Sequence, residues 1–186
     1  VDLDAGDING DGREELVVLA SNRVIVYEYR NKKLKQVARF RAKNKNNKFL
    51  GVDVGDINRN GRDEIFVTNQ LGDSLSSFVL EARRGKKRLQ KTWDDVNLYF
   101  RVIHPFGKKP VLLTQSPGYS NPFRSPISKM VYRKGRYLPG KKLRLPSIHG
   151  TEFILYGFTL ADINADGKDE IVMLSKDARL RVYSAS

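Results

Sequence analysis

Hydrophobic and polar residues alternate along most of this chain in short runs, and Asn, Asp, Gly, Ser and Lys cluster between the runs. Period-two alternation puts apolar side chains on one face of an extended segment, so each run reads as a half-buried β-strand. RVIVYEYR, from Arg23 to Arg30, shows it plainly, and no window holds a 3.6-residue period over a useful length. The runs fall into groups. VDLDAGD, ELVVLAS, RVIVYEYR and LKQVARFR form the first, and FLGVDVGD, EIFVTN, LSSFVLEAR and RLQKTWDDV the second. LYFRVIH, PVLLTQ, ISKMVYRK and RYLPGKKLRL form the third, and ILYGFTLAD, EIVMLS and RLRVYS a fourth without an outer strand.

Between the first and second runs of three groups stands the same loop: DINGDGREE from Asp7 to Glu15, DINRNGRDE from Asp56 to Glu64, and DINADGKDE from Asp162 to Glu170. The loop glycines Gly12, Gly61 and Gly167 are 49 and 106 residues apart, and the longer interval hides one further copy. FGKKPVLLTQ fills it: Gly107, Val111, Leu112, Leu113, Thr114 and Gln115 register on Gly61, Ile65, Phe66, Val67, Thr68 and Asn69. That third copy keeps the strand and replaces the loop's polar positions by Val102, His104, Phe106 and Pro110. Four-stranded units recurring every 46 to 60 residues predict the blades of an all-β propeller. The expected blades are residues 1–48, 49–97, 98–146 and 147–186, in a single propeller segment. With the last blade incomplete, the segment is expected to be part of a larger ring of about seven blades. It would then need further blades or another chain at its open edges.

The loop has the chemistry of a hard-cation site: several oxygen ligands at alternate positions around a glycine turn. In the first copy Asp7, Asn9 and Asp11 offer side-chain oxygens, Arg13 its carbonyl and Glu15 a closing carboxylate. The second copy offers Asp56, Asn58, Asn60, the Arg62 carbonyl and Glu64, and the fourth Asp162, Asn164, Asp166, the Lys168 carbonyl and Glu170. Calcium is the expected ion, in a structural role that pins the turn. Asn, Asp and Gly also favour plain turns without any ion, but that alternative leaves the Glu at a fixed distance in all three copies unexplained. Ile8, Ile57 and Ile163, second in each loop, are expected to point into the blade as core.

The repeats resemble the FG-GAP and VCBS class of β-propeller repeat, which also builds the integrin α-subunit head. YGFTLADINADGKDEIVML, from Tyr156 to Leu174, carries the likeness most fully, with Tyr156 and Gly157 in the Phe-Gly position. ASN, TNQ and LSK stand where the family has Gly-Ala-Pro after the second strand, which moves the likeness toward bacterial secreted VCBS-repeat proteins. The resemblance implies calcium-binding blades, and an extracellular, cell-surface or periplasmic setting in adhesion or assembly.

Charge adds a second theme. Against 21 Asp and Glu stand 34 Lys and Arg, for a net charge of +13. RNKKLK (Arg30 to Lys35), RRGKKR (Arg83 to Arg88) and RKGR (Arg133 to Arg136) each fall between the third and fourth strands of a blade. Lys43, Lys45, Lys48, Lys141, Lys142 and Arg144 extend the basic set. Such turns attract a protein or an anionic polysaccharide, or serve only as solvated edges that discourage sheet pairing. Nucleic acid is disfavoured, since Tyr27, Tyr29, Phe40, Tyr132 and Tyr137, in alternating strands, read as core between blades. Ser116 to Ser128, rich in Pro and Ser, is a candidate contact loop.

The 40% hydrophobic content supports a buried core, and no apolar stretch approaches the roughly 20 residues of a membrane span. No cysteine is present, so disulfide scaffolds and thiolate sites are excluded. Weak calcium loops, with Kd on the order of 0.1 to 1 mM, fill where calcium is plentiful, which favours a compartment outside the cytosol. Opening on a strand, the chain is read as a piece of a longer protein. Catalytic motifs are sparse: His104 and His149 are the two histidines, and Trp93 reads as packing. The expected function is a non-catalytic, calcium-stabilised binding or assembly module. The alternative is part of a propeller enzyme, such as a polysaccharide lyase or hydrolase, with its catalytic residues outside this segment.

Overall fold

β-branched and aromatic runs separated by Asn-Lys, Lys-Gly and Asp-rich turns fold as antiparallel ladders, because each turn reverses the chain within a few residues. The structure is a computed structural model describing residues 1–83, 88–105, 107–118, 126–142, 154–174 and 179–184. Among these residues there are strands and no helix. The first sheet is β1 (Asp2–Gly6), β2 (Glu15–Ala20), β3 (Arg23–Arg30) and β4 (Lys33–Arg41), paired in that order. The second has β5 (Asn47–Gly55), β6 (Glu64–Leu71), β8 (Ser77–Ala82) and β9 (Leu89–Val96) in sequence, with the short β7 (Ser74–Leu75) also on β6. A third sheet runs β10 (Tyr99–Ile103), β11 (Val111–Gln115), β12 (Ser128–Arg133), β13 (Arg136–Lys142). The fourth holds β14 (Phe158–Ala161), β15 (Glu170–Leu174) and β16 (Leu180–Ser184). This is an all-β fold of blade-like sheets, with the fourth one strand shorter among the described residues.

One expected strand is broken. LSSFVLEAR divides into β7 and β8 at Ser76, whose N–H donates to the Asn69 carbonyl at 2.8 Å, while the Asn69 side chain donates to the Ser76 carbonyl at 2.9 Å. The first bond is in register, but the reciprocal one is lost: the Asn69 side chain takes the Ser76 carbonyl, and the Asn69 N–H donates instead to Ser77 Oγ at 3.2 Å.

The strands group into two compact units, Val1–Phe100 and Arg101–Ser186. In the first, Val17, Leu19, Val24 and Val26 of sheet one form a common core with Val52, Val54, Ile65 and Val67 of sheet two. Phe78 binds the two sheets, with its ring 5.2 Å from Phe40 and 5.3 Å from Phe49. β2 is buried on alternate residues, whereas Glu64 through Asn69 of β6 are all buried. The difference follows from cover: β6 has sheet one on one face, and its Phe66 packs on Phe100 at 5.9 Å on the other. Trp93 also rests on Phe100, at 5.4 Å, as a packing residue.

Backbone edges between the two sheets are closed by side chains. Asp2 and Asp4 of β1 accept from the Val52 and Val54 N–H groups of β5 at 2.9 and 2.7 Å. Gly6 is required where β1 ends, because a Cβ there would lie 2.3 Å from Asp63 Oδ2 and 2.4 Å from Val54. In the second unit, Arg101 donates to the Leu155 carbonyl at 2.9 Å and the Leu155 N–H donates to Gln115 at 3.0 Å. Leu155 itself is fully buried.

Two packing expectations need correction. Ile8 and Ile57 are buried at 2% and 9%, but Ile163 is 56% exposed. Ile8 shares the core with Val26 and Ala38, whereas sheet four has no outer strand among the described residues to cover Ile163. Tyr29 is 67% exposed rather than interior, and Tyr132 pairs with Tyr137 across β12 and β13 at 4.9 Å, within one sheet. Phe40 alone of these aromatics is shown packing between sheets, against Phe78.

Candidate metal centre

Each acidic loop is built round its first aspartate. Asp7 Oδ2 accepts from the Gly12 N–H at 2.8 Å, Asp56 Oδ2 from Gly61 at 2.9 Å, and Asp162 Oδ2 from Gly167 at 2.9 Å. The Oδ1 atoms accept from position five: Asp11 at 3.0 Å, Asn60 at 3.0 Å and Asp166 at 3.1 Å. Position five in turn holds position seven, since Arg13, Arg62 and Lys168 donate their N–H to it at 3.0, 2.9 and 2.9 Å. Asn58 and Asn164 also take the N–H of position five, each at 2.9 Å. The glycines sit at φ of 81, 80 and 83° with open space where a Cβ would lie. Left-handed backbone, not crowding, selects glycine there. The side chain of Arg62 leaves the loop and donates to the Ala82 carbonyl at 3.2 Å, so only its backbone faces the turn.

The closing glutamates lie beneath the loops, at 1% (Glu15), 0% (Glu64) and 7% (Glu170) exposure. Glu15 accepts from the Ile8 N–H at 3.1 Å and from Asn9 Nδ2 at 2.8 Å. Glu170 accepts from the Ile163 N–H at 3.1 Å and, more loosely, from Asn164 at 3.4 Å. Glu64 uses one oxygen for two donors, Ile57 at 2.9 Å and Asn58 at 3.1 Å. Its other oxygen, Oε1, is buried without a partner. Burial pushes the Glu15 carboxyl up to about 7, aided by the charge of Asp11, against hydrogen bonds from Asn9 and Ile8. Glu64 is pushed up to about 8, again mainly by burial, with the charges of Glu81 and Asp56 adding to it. Carboxylates held in such positions fit a bound cation, which would neutralise them and complete the orphan oxygen.

Two contributors come from outside the first loop. Glu28 of β3 brings a carboxylate oxygen within 4.8 Å of those of Asp11 and Glu15. Arg30 spans the corner, contacting Glu28 and lying 3.5 Å from Asp11. Asp63, eighth in the second loop, reaches back to the first: Asp7 N–H donates to its carboxylate at 2.8 Å, and its own N–H donates to the Asp7 carbonyl at 2.8 Å. Asp169 holds the same position in the fourth loop and faces Lys108 of the third at 3.8 Å. Neither role could be read from spacing within one loop; the signal was that position eight is acidic in all three copies.

The third loop keeps a left-handed glycine and lacks the acidic and amide side chains of the other three. Gly107 has φ of 60°, while Val102 is buried in β10, His104 is exposed and Pro110 precedes β11. Phe106 lies outside the described residues, as do His149, Arg144, Arg84, Lys86, Lys87 and residues 119–125 of the candidate contact loop.

Comparison with known families bears on the part of the chain that holds the first two loops. Residues 7–67 match the FG-GAP-like repeat. No curated protein matches the chain. The FG-GAP-like segment runs from Asp7, the anchor of the first loop, to Val67 in β6, and so takes in both loops and the latch between them. Within it, Lys33 to Arg41 form the outer strand β4, entered by a two-residue turn at Asn31 (φ 51°) and Lys32 (φ 61°). Lys134 (φ 50°) and Gly135 (φ 77°) make the corresponding turn between β12 and β13. Both are primed turns of the kind that suit the twist of a hairpin, and both carry the expected basic side chains into solvent.

Proposed function

We propose that this FG-GAP-type, propeller-like chain is a calcium-stabilised, non-catalytic binding or assembly module working outside the cytosol. Calcium in the first, second and fourth loops would clamp the turn between the inner two strands of each blade. Asp7, Asn9, Asp11, the Arg13 carbonyl and Glu15 would hold the first ion, and the matching sets from Asp56 to Glu64 and from Asp162 to Glu170 the others. When bound, the ion supplies charge neutralisation and fixed geometry rather than reaction chemistry. The observation that carries the reading is the repeated donor set over a buried glutamate, with Glu64 Oε1 buried and left without a hydrogen-bond partner. The exposed basic turns would then meet an acidic protein or an anionic glycan.

Calcium titration by calorimetry tests this directly, because the third loop is an internal control. Three ions are expected, each at about 2.3 to 2.6 Å from six or seven oxygens in a calcium-soaked crystal. Asp7→Ala and Asp162→Ala should each remove one ion and lower the melting temperature in calcium, while His104→Ala should do neither. A melting temperature unmoved by a chelator would show the loops to be plain turns.

A further inference from the structure

We propose that the cation sites of the first two loops are completed from a neighbouring strand, by Glu28 of β3 and Glu81 of β8, and that the fourth loop lacks this ligand. The inference rests on the calcium reading and adds to it two ligands and a ranking of the sites.

Strand register places these residues alike. Leu16 pairs with Tyr27 and Ile65 with Leu80, so the next position along is Glu15 beside Glu28 and Glu64 beside Glu81. In the fourth sheet Glu170 pairs directly with Ser184, which offers no carboxylate. At the first site the oxygens of Asp11, Glu15 and Glu28 lie within 4.8 Å of one another. Three oxygens no farther apart than that share a centre within about 2.8 Å of each, close to a calcium–oxygen bond, so one ion can serve all three with a small adjustment. At the second site an independent observation points to a missing ligand: Glu64 Oε1 is fully buried and unpartnered. Asn58 Nδ2 meanwhile draws Glu81 toward the loop at 3.3 Å. Access is open at the first site, where Glu15 and Glu28 line a cavity of about 370 Å³ between the first two sheets.

Arg30 explains how Glu28 and Asp11 coexist without the ion. Its guanidinium contacts both carboxylates, and a divalent cation entering between them would displace it. Arg30 is therefore a competitor for the site, and its removal should favour the ion.

The experiment isolates each site. Chains carrying Asp56→Ala with Asp162→Ala retain the first loop, Asp7→Ala with Asp162→Ala the second, and Asp7→Ala with Asp56→Ala the fourth. Calcium affinity is read by calorimetry, and ligand number by the water count on bound terbium from luminescence lifetimes in H₂O and D₂O. Glu28→Gln and Glu81→Gln should each weaken their own site by roughly tenfold, as expected for loss of a charged ligand, and add about one terbium-bound water. Glu14→Gln, an exposed charge at the eighth position of the first loop and outside the proposed ligand set, should leave the water count alone, and Arg30→Gln should tighten the first site. The fourth-loop chain should bind most weakly, and Ser184→Glu in the otherwise unaltered protein should strengthen that site, which keeps the test valid if a doubly substituted chain fails to fold. If calcium binds but Glu28→Gln behaves as Glu14→Gln does and Ser184→Glu changes nothing, the third-strand ligands are overturned and the calcium reading stands. If the unaltered chain binds no calcium, both fall.

Discussion

Glu15 and Glu64 hold protons that free glutamates would release. Their carboxyls stand at about 7 and about 8 in the fold against an ordinary 4.5. A group whose folded value is raised binds more protons folded than unfolded between the two values, so stability falls as pH rises through that window. In chelator, denaturant titration should show a protein that loses stability from about pH 4.5 to about pH 8 and then levels off. Glu64→Gln should about halve that slope up to about pH 7, where Glu15 still titrates, and abolish it between about pH 7 and about pH 8, since the amide keeps the shape and does not ionise; an unchanged slope in the variant would place the proton elsewhere. At this scale the residues that share one loop were legible in the sequence, because Asp, Asn and Gly at alternate positions followed by a Glu mark one tight turn. Glu28, Glu81 and Asp63 were hidden because their partners come from another strand or another blade, and only the strand register brings them together. The exposure of Ile163 was hidden for a similar reason: the residue type matches Ile8, but the cover does not.

Among the elements, strand positions and turns were the most legible part, since period-two alternation and turn residues act locally. What was not legible is how one sheet fastens to the next. Asp2 and Asp4 look like solvent-facing residues of a half-buried strand, yet Asp4 accepts from Val54 N–H at 2.7 Å and Asp2 from Val52 N–H at 2.9 Å. The β5 edge would otherwise leave those amides without strand partners. Asp4→Ala should therefore cost about 1 to 3 kcal/mol, the usual penalty for stranding a buried partner, and amide exchange at Val54 should accelerate with it. Asp4→Asn keeps an acceptor and should recover a large part of the loss. Gly6→Ala belongs to the same seam. Its methyl would collide with Asp63 and Val54, which loosens the latch from the second loop to the first and should lower the melting temperature in calcium and in chelator alike.

For the molecule as a whole, charge decides what the surface can meet. The net charge is +13, and in the first unit the cations gather along the outer strands: Lys32, Lys33, Lys35, Arg39 and Arg41 on and around β4, with Arg88 pairing in parallel with Arg39 at the start of β9. Arg39 and Arg88 meet backbone to backbone and both are exposed, which adds positive charge to these outer strands. The partner we propose for this edge is a polyanion, and the alternative is a solvated edge that discourages sheet pairing. Binding to heparin, as a probe of sulfated glycans, should then weaken steeply between low and physiological salt, because exposed charge contacts are screened over about 8 to 10 Å. Arg39→Glu with Arg88→Glu should weaken it more than Lys134→Glu with Lys141→Glu, since the first pair sits at one backbone bridge among the basic outer strands and the second lies in the other unit. Equal losses from both pairs would mean that affinity follows net charge alone, and binding indifferent to salt would remove the outer strands from consideration as the contact surface.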